Sequence, residues 1–420
     1  MGWIYLGCSL LGLLHAVNAM APRKGGPFTM AGSFFAAWLT IELAWHHLAM
    51  GVLFTIGFAA GGALGTVPGL VGLVVMVVTE ALLLRIALIS RRTVVLVRGA
   101  LEDLEPGPDA PRFPRSHVVF PFLMGRRKGV SMRRDLTFAR VAGTKLRLDV
   151  TVPSAPAPGG GLRPALLQIH GGGWVIGDKR EQGISLLTHM ATQGWVGFNV
   201  NYRLSPFAAF PDHLVDVKRG LAWIREHAEE FGIDPDFICV TGGSAGGHLA
   251  ALMALTQNDP TYQPGFEGAD TSLAAAVPFY GVYDFTPEGT FGSEPRVYTM
   301  FLERWVMKAF VADEPELFAA ASPVHHVHAD APPFFVIHGD NDTIAPVEDA
   351  RAFVAKLRDV SANPVAYGEM QGAEHAFEVF PSARTAKVME GVERFLTTIW
   401  QRGHQSTPKV ESELADVLTD

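Results

Sequence analysis

The sequence predicts an α/β protein in which a mainly parallel, doubly wound sheet follows an apolar helical region. From about residue 133 onward, short apolar runs typical of buried strands alternate with amphipathic segments typical of helices. Residues 1–84 contain almost no charge; their only formally charged side chains are Arg23, Lys24, Glu42 and Glu80. Two glycine-rich loops, each directly after a predicted strand, indicate the edge of the sheet where chemistry is expected.

These observations divide the chain into four regions. Prolines between residues 99 and 132 prevent that stretch from forming a long helix, so it is expected to connect the apolar helices to the α/β region and to shape the mouth of a pocket. The last region is polar and lacks a core pattern. The predicted regions are a membrane anchor at 1–98, a connector at 99–132, an α/β domain at 133–403 and a tail at 404–420.

Eight strands and at least four helices are predicted in the α/β region. The strands are Leu136–Arg140, Lys145–Val150, Ala165–Ile169, Val196–Asn199, Phe237–Val240, Ala274–Tyr280, Phe334–Ile337 and Val365–Glu369. The helices are Asp212–Glu230, Ala245–Thr256, Val347–Asp359 and Ala383–Trp400. Because two hairpin strands precede the alternating part, the sheet should begin antiparallel and continue parallel, with helices on both faces.

The first region contains three apolar stretches, Trp3–Met20, Phe28–Ala60 and Thr66–Ile89. A bilayer core needs about 20 apolar residues in a helix, so the second and third are good spanning segments and the first is short. The first stretch lacks the basic start of a signal peptide. We expect two to three transmembrane helices; the alternative is a water-soluble helical hairpin. Within the second stretch, Glu42 and His46 can face one another at i, i+4, as a buried hydrogen-bonded pair.

Basic residues flank these stretches and indicate an orientation. Arg23 and Lys24 lie between the first two, and Arg91, Arg92 and Arg98 follow the third. With three spans, the positive-inside rule predicts a multi-pass protein of the inner (cell) membrane whose α/β domain is cytoplasmic. If the first stretch does not span, the two basic groups lie on opposite sides and the rule gives no orientation.

Composition and spacing argue against a nucleic-acid partner, a disulfide framework and a metal site. A net charge of −8 without a basic block argues against a nucleic-acid partner. Cys8 and Cys239 lie in an apolar stretch and a predicted strand, so no disulfide framework is expected. The spacing of His325, His326 and His328 matches no zinc pattern, and a solvated turn is expected there. Neither a metal nor a cofactor is expected, and a homodimer remains open.

The second glycine-rich loop, Gly242–Gly247, fits G-x-S-x-G around Ser244. It follows a predicted strand and precedes a predicted helix, which is the context in which this motif raises a serine nucleophile above a sheet. The first loop, His170–Trp174, fits the HGGG pattern that supplies amide groups to an oxyanion hole, here from Gly171 and Gly172 with Ala245 as the third donor. A phosphate cradle would need a following Lys-Ser/Thr, which is missing. The two loops together predict acyl transfer by a serine.

A base and an acid should follow later in the chain, the acid first. His375 lies after the last predicted strand and is the expected base. Asp340 and Asp342 both follow the strand before it, and either carboxylate could orient the imidazole. The pattern alone leaves that choice open.

The chain resembles the hormone-sensitive-lipase-like branch of the α/β-hydrolases, and within it the membrane-associated esterases of actinobacteria. The matching segments lie between about residues 133 and 400, and they are HGGGW at 170–174, NYRLSP at 201–206, FPDHLVD at 210–216, GGSAGG at 242–247, HGDND at 338–342 and GAEHAF at 372–377. The resemblance implies an α/β-hydrolase fold with a helical cap, here from the connector and Phe291–Phe310. It also implies Asp342 as the acid. Trp174 and Phe279 are expected either to line the acyl pocket or to be core aromatics.

We therefore expect a membrane-anchored serine carboxylesterase or lipase that cleaves short- to medium-chain acyl esters of small molecules or lipids. One position departs from the family, because Gly243 stands where an aspartate is most common. A Gly-Gly-Ser turn also occurs in prolyl-oligopeptidase-type peptidases, so an amidase or peptidase with the same triad is the second hypothesis. The third is a ligand receptor without catalysis, although such receptors usually lack a triad residue.

Overall fold

The structure is a computed structural model that describes residues 1–22, 27–104, 112–123, 127–157, 160–289 and 300–405. Several predictions fall partly outside these residues. They concern Arg23 and Lys24, parts of the connector, the first half of the predicted cap segment Phe291–Phe310, and nearly all of the tail.

An eight-stranded sheet forms the centre of the α/β region, and its strands correspond to the eight predicted ones. They are β1 (Val130–Val141), β2 (Thr144–Pro153), β3 (Arg163–Ile169), β4 (Val196–Val200), β5 (Ile233–Gly243), β6 (Ala275–Phe279), β7 (Phe334–Gly339) and β8 (Val365–Met370). Their order is β1-β2-β4-β3-β5-β6-β7-β8. β2 is antiparallel to β1 and β4, and the other neighbours are parallel. The predicted mainly parallel sheet is confirmed.

Helices cover both faces of this sheet, as predicted. They are α6 (Arg115–Val119), α7 (Ile184–Thr192), α8 (Asp212–Glu226), α9 (Ala228–Phe231), α10 (Ala245–Leu255), α11 (Pro315–Ala320), α12 (Val347–Val360) and α13 (Ala383–Gln405). Strand residues alternate between two cores: Leu167 packs on the side of α8, α10 and α12, whereas Leu166 packs on the side of α7 and α13. The predicted helix over 212–230 is two helices, because the chain breaks at His227.

Among the described residues, five α-helices precede α6: α1 (Gly2–Met20), α2 (Pro27–Glu42), α3 (Ala44–Ala60), α4 (Val67–Arg91) and α5 (Thr93–Ala100). Within the part of the chain that the structure describes, two segments are long and apolar enough to cross a membrane, Gly2–Met20 and Val67–Ala100. α2 and α3 together are also long and apolar enough for a crossing, but these two helices are bent by 84°. The predicted spanning segment Phe28–Ala60 is thus two helices that meet at Leu43, and its crossing of a membrane stays a prediction.

The predicted pairing of Glu42 with His46 is wrong. Glu42 is buried against the α/β domain, where its carboxylate accepts hydrogen bonds from Arg384 and Ser382. His46 Nε2 instead donates to the carbonyl of Val119 at 3.0 Å. The bend between α2 and α3 turns the two residues toward different partners, so their spacing of four residues no longer places them face to face.

Candidate active site

Ser244 occupies the sharp turn between β5 and α10. Its backbone angles are φ 58° and ψ −121°, which a residue with a side chain rarely adopts. The amide of Ser244 donates to the Phe279 carbonyl at 3.0 Å, and its own carbonyl accepts from the amide of His248 at 2.9 Å. Strain of this kind costs about 1–3 kcal/mol and persists because the surrounding sheet and helix fix it. The turn has the strained backbone expected of a nucleophile elbow.

A histidine and an aspartate are joined at the same edge of the sheet. His375 Nδ1 lies 2.7 Å from Asp342 Oδ2. The second carboxylate oxygen of Asp342 accepts the amides of Ile344 and Ala345, each at 2.8 Å. Burial opposes ionisation, but His375 and His338 outweigh it, so the pKa of Asp342 lies well below its ordinary range. Asp342 is therefore a buried, ionised partner of His375.

The alternative acid, Asp340, has a different role. Its side chain accepts the amide of Gly372 at 2.6 Å and thereby fixes the start of the loop that carries His375. The geometry thus separates the two aspartates that the sequence pattern left open.

A second histidine contacts the acid. His338, at the end of β7, is fully buried, and its Nε2 lies 2.9 Å from the Ala345 carbonyl and 3.3 Å from Asp342 Oδ2. Asp342 holds the pKa of His338 above its ordinary value despite burial. Sequence reasoning missed this contact. The signal was available, because a histidine four residues before the acid, at a strand end, points to the same edge of the sheet.

Ser244 and His375 lie at the same edge of the sheet but are not hydrogen-bonded to each other. The side-chain hydrogen bonds within the described ranges include none from the Ser244 hydroxyl. Catalytic hydrogen bonds are often long in a free enzyme and shorten when substrate binds. Tyr280 connects the two residues in space: its ring centroid is 4.5 Å from that of His375, and it lies against the elbow at Gly243.

The packing of Tyr280 explains the glycine at position 243. A Cβ at Gly243 would lie 2.5 Å from Tyr280 Oη and 2.9 Å from two carbons of the ring. The hydroxyl of Tyr280 donates to the buried carboxyl of Glu378. Burial raises the pKa of Glu378 to about 7, against the stabilising effect of this hydrogen bond. Position 243 is therefore a glycine because the ring of Tyr280 fills the space beside the turn that a side chain would need.

The HGGG loop packs directly on the elbow, but one predicted oxyanion donor is unavailable to substrate. A Cβ on Gly171 would lie 2.6 Å from the Gly243 carbonyl and 3.0 Å from Ser244 Cβ. The Gly171 amide donates to Gln182 Oε1 at 2.7 Å, so the prediction of Gly171 is corrected. Among the described residues, no acceptor takes the amide of Gly172 or Gly173. Ala245, at the first position of α10, is the remaining predicted donor.

Both predicted pocket aromatics belong to the core. Trp174 is 3% exposed and Phe279 is 2% exposed. The indole of Trp174 donates to His248 Nδ1 at 3.3 Å, and His248 Nε2 donates to the Ala321 carbonyl. Trp174 and Phe279 thus have the second of the two roles expected for them, that of core aromatics, and a place in an acyl pocket stays a prediction. Of the predicted cap segment, Phe301 is described, and its ring lies 3.5 Å from the Cβ position of Gly173.

A buried acid, Glu374, directly precedes His375. Glu374 Oε1 accepts the amides of Thr343 at 2.7 Å and His375 at 2.9 Å. Burial and the nearby charge of Asp342 raise the pKa of Glu374 to about 8.

Of the histidines in the predicted solvated turn, His326 has a partner in the protein, since its Nε2 donates to the Ala320 carbonyl. Within the described ranges, no group of three potential metal ligands is arranged to hold an ion.

The order of these parts along the chain defines a class of protein. A nucleophile elbow follows β5, a buried acid follows β7 and a histidine follows β8, on a doubly wound sheet of eight strands. This is the arrangement of the α/β-hydrolase fold.

Comparison with known proteins narrows the class. The family model described as BD-FAE matches residues 148–357, which is half of the chain, and the chain belongs to this family. It is 51% identical over 244 residues to the protein named "Probable carboxylic ester hydrolase LipM" of Mycobacterium tuberculosis, covering 58% of this chain and 56% of that protein. It is 47% identical over 263 residues to esterase LipQ of the same organism, covering 62% and 61%. The match thus spans less than two thirds of each relative. These relatives support the resemblance to the hormone-sensitive-lipase-like hydrolases of actinobacteria.

The solved structures give the same fold. The butyrate-bound esterase Est2 of Thermogutta terrifontis aligns with a TM-score of 0.55 and 27% identity, over 65% of this chain and 95% of that chain.

Proposed function

We propose that this chain is a membrane-anchored serine carboxylesterase that hydrolyses short- to medium-chain acyl esters. The observation that carries the proposal is the 2.7 Å contact between His375 and the ionised Asp342, at the same edge as the strained turn of Ser244. A nucleophile, a base and an orienting acid in this order are the requirements for acyl transfer through a serine.

In the proposed reaction, His375 removes the proton of Ser244 as its hydroxyl attacks the ester carbonyl. The bond to the alcohol then breaks, and His375 returns the proton to that alcohol. A water activated by the same histidine cleaves the acyl-enzyme and releases the acid. Asp342 fixes the tautomer of His375 and stabilises the imidazolium.

The developing negative charge on the ester oxygen needs preorganised donors. We assign this role to the amides of Gly172, Gly173 and Ala245. The N-terminus of α10 adds partial positive charge at the same point. In comparable sites, removal of one such donor costs about 3 kcal/mol of transition-state stabilisation.

We further propose that α1, α3 and α4 cross the bilayer. Residues at one end of these helices meet each other: Met1 lies beside Gly61, and Gly2 lies beside Thr66. The other ends of α1 and α4 lie against the α/β domain, where Asn341 donates to the Ala19 carbonyl at 3.4 Å and Arg92 to Gln371 at 3.1 Å. Three crossings in this arrangement would place both basic groups of the sequence on the side of the α/β domain. The positive-inside rule then supports a cytoplasmic active site.

The function is tested with the purified full-length protein in detergent and p-nitrophenyl butyrate as substrate. Ser244→Ala should lower kcat by a factor on the order of 10⁶, the size of the effect when a triad serine is lost in a comparable enzyme. Turnover that survives in this variant would contradict the proposal. A matched butyryl anilide separates the second hypothesis, because a higher rate on the amide would assign the chain to the amidases. Failure of a fluorophosphonate to label Ser244 would instead favour a receptor.

A further inference from the structure

The loop that carries His375 is contacted by a helix of the N-terminal region. The indole Nε1 of Trp38, on α2, donates a hydrogen bond of 2.9 Å to the carbonyl of Ala376. Ala376 follows His375 directly and has a φ of 58°, in the left-handed region. A residue with a side chain holds such a conformation only where its surroundings fix it. Trp38 therefore stabilises the strained backbone next to the base.

A buried ion pair at the end of α2 fixes the same loop. Glu42 Oε1 lies 3.1 Å from Arg384 Nε, and Ser382 Oγ donates to Glu42 Oε2 at 2.6 Å. Glu42 and Arg384 are 6% and 1% exposed, so water does not compete for this pair. The guanidinium of Arg384 also donates to the carbonyls of Gln371, at 2.7 Å, and Gly372, at 3.3 Å. Arg384 thus connects the carboxylate of α2 to the segment that leads into His375.

Aromatic side chains of α2 complete the contact. The ring of Phe34 is 6.3 Å from that of His375 and nearly perpendicular to it, at 68°. The ring of Trp38 lies 4.9 Å from that of Phe380. Polar and aromatic contacts from one helix therefore reach residues both before and after the catalytic histidine.

The other two triad positions are held from within the α/β domain. The backbone of Ser244 is bonded to the end of β6, and Asp342 is bonded to amides of its own loop. His375 differs because contacts from α2, a helix that precedes the sheet, hold its loop on one side. The acid loop also meets an N-terminal helix, because Asn341 donates to the Ala19 carbonyl, but at the longer distance of 3.4 Å. The base is therefore the triad residue whose loop these helices hold by the shorter hydrogen bonds.

We propose that α2 is a positioning element of the active site, which holds the His375 loop through Trp38 and Glu42 and makes turnover depend on the docked N-terminal helices. This inference rests on the proposed function, in which His375 is the base. Proton transfer requires close alignment, and a displacement of about 1 Å far from the reacting atoms can cost about 10²-fold in rate. The effect should appear in kcat, because α2 orients the base and makes none of the proposed oxyanion contacts.

The test compares Trp38→Phe and Glu42→Gln with Leu39→Ala, in the detergent-solubilised full-length protein. Trp38→Phe keeps the ring and removes only the N–H donor. Leu39 is on the same helix and 38% exposed, so its truncation is the matched control. We expect kcat for p-nitrophenyl butyrate to fall about tenfold in the first two variants, with KM within twofold of wild type, and no change in Leu39→Ala. Labelling of Ser244 by a fluorophosphonate should slow by the same factor.

Two further measurements distinguish positioning from general loss of structure. In a cycle with Arg384→Gln, the double variant with Glu42→Gln should lose little more activity than Arg384→Gln alone, because Glu42 acts on residues 371 and 372 through Arg384. Hydrogen exchange should rise in residues 371–384 and stay unchanged in β5. Wild-type kcat and exchange in both Trp38→Phe and Glu42→Gln would overturn this inference and leave Ser244 as the nucleophile. Turnover that survives Ser244→Ala would contradict the proposed function instead.

Discussion

Tyr280 occupies the space that a side chain at position 243 would fill, and it lies between the turn of Ser244 and the ring of His375. Its ring contacts His375, and its hydroxyl is bonded to Glu378. The departure of Gly243 from the commonest family pattern is the basis of the second hypothesis, an amidase or peptidase. The same glycine has a steric role, because Tyr280 fills the space that its side chain would take.

Gly243→Ala should move Tyr280 and disturb the base without touching the triad. The added methyl group would lie 2.5 Å from Tyr280 Oη, which is closer than van der Waals contact allows. We expect a loss of about 1–3 kcal/mol in the free energy of unfolding, as for overpacked cores, and a fall in kcat/KM of about tenfold. Gly268→Ala is the control, because a Cβ there meets nothing within 4 Å. Equal stability and activity of the two variants would show that Tyr280 moves freely.

Glu374 should make stability fall as pH rises. Its pKa is raised from 4.5 to about 8 in the folded protein, so the folded state keeps a proton that the unfolded state has released. The stability is fully present below pH 4.5 and is lost progressively up to pH 8. Glu374→Gln keeps the acceptor oxygen and removes this titration, which makes the wild type about 5 kcal/mol less stable above pH 8 than below pH 4.5.

The measurement for Glu374 is the Tm as a function of pH between 5 and 9. Wild type should lose more Tm than Glu374→Gln over this range. Glu378 titrates in the same direction in both proteins, with a pKa of about 7, so the difference between the two curves isolates Glu374. Parallel curves would mean that Glu374 is ionised in the folded protein.

Residue types at the site were predictable from motifs, whereas their partners were not. Ser244 and His375 follow from local patterns, because a nucleophile turn needs small neighbours at fixed spacing. The choice between Asp340 and Asp342 needed the hydrogen bonds of the folded loop. Gly171 was wrongly predicted because its amide is taken by Gln182, and nothing in the sequence places that side chain beside the loop.

At the scale of elements, strands were easier to predict than the helices of the first region. Buried parallel strands appear as short apolar runs bounded by turns, and all eight were found. The break at Leu43 has no glycine or proline beside it in the sequence. A helix that is apolar on all sides also shows no hydrophobic periodicity, so the sequence pattern does not change where the helix ends. The contact beside this bend joins Glu42 to Arg384, which lies 342 residues away in the chain.

Helix α8 is tied to the loop after β4 by a buried ion pair between two family motifs. Arg203 donates from Nε to Asp216 Oδ2 at 2.7 Å and from Nη2 to Oδ1 at 2.9 Å. Asp216→Asn should lower the free energy of unfolding by about 3 kcal/mol, because it leaves a cation with little access to water. Asp212 also contacts Arg203, at 3.1 Å, but is 43% exposed, so Asp212→Asn should cost less than about 1 kcal/mol.

Urea unfolding of both variants measures the difference between these two carboxylates. A loss for Asp212→Asn as large as that for Asp216→Asn would contradict the argument that burial sets the strength of the pair.

At the scale of the whole molecule, the helical region and the α/β domain share an interface at the acid and histidine loops. The ends of α1 and α4 meet Asn341 and Gln371, while α2 contacts the loop after His375. A family match over residues 148–357 describes the sheet but not this interface. It was not predictable from sequence, because the residues that form it are far apart in the chain.

The orientation in the membrane is tested by protease added to intact cells. On the proposed arrangement, the tail after residue 405 should be protected until the membrane is permeabilised. An epitope tag at residue 420 provides the readout, and a periplasmic marker protein provides the control for cell integrity. Cleavage of the tag in intact cells would place the active site outside the cytoplasm.

The bend of 84° at Leu43 has a consequence for which substrate concentration sets the rate of the reaction. With α3 in the bilayer and α2 on the histidine loop, the reaction centre would keep a fixed height above the lipid surface. A lipid ester would then arrive by lateral diffusion, and its rate would follow its mole fraction among the lipids. A water-soluble ester would arrive through the solvent, and its rate would follow bulk concentration. The rate at one active site would therefore depend on the mole fraction of a substrate that partitions into the membrane and on the bulk concentration of a substrate that stays in water.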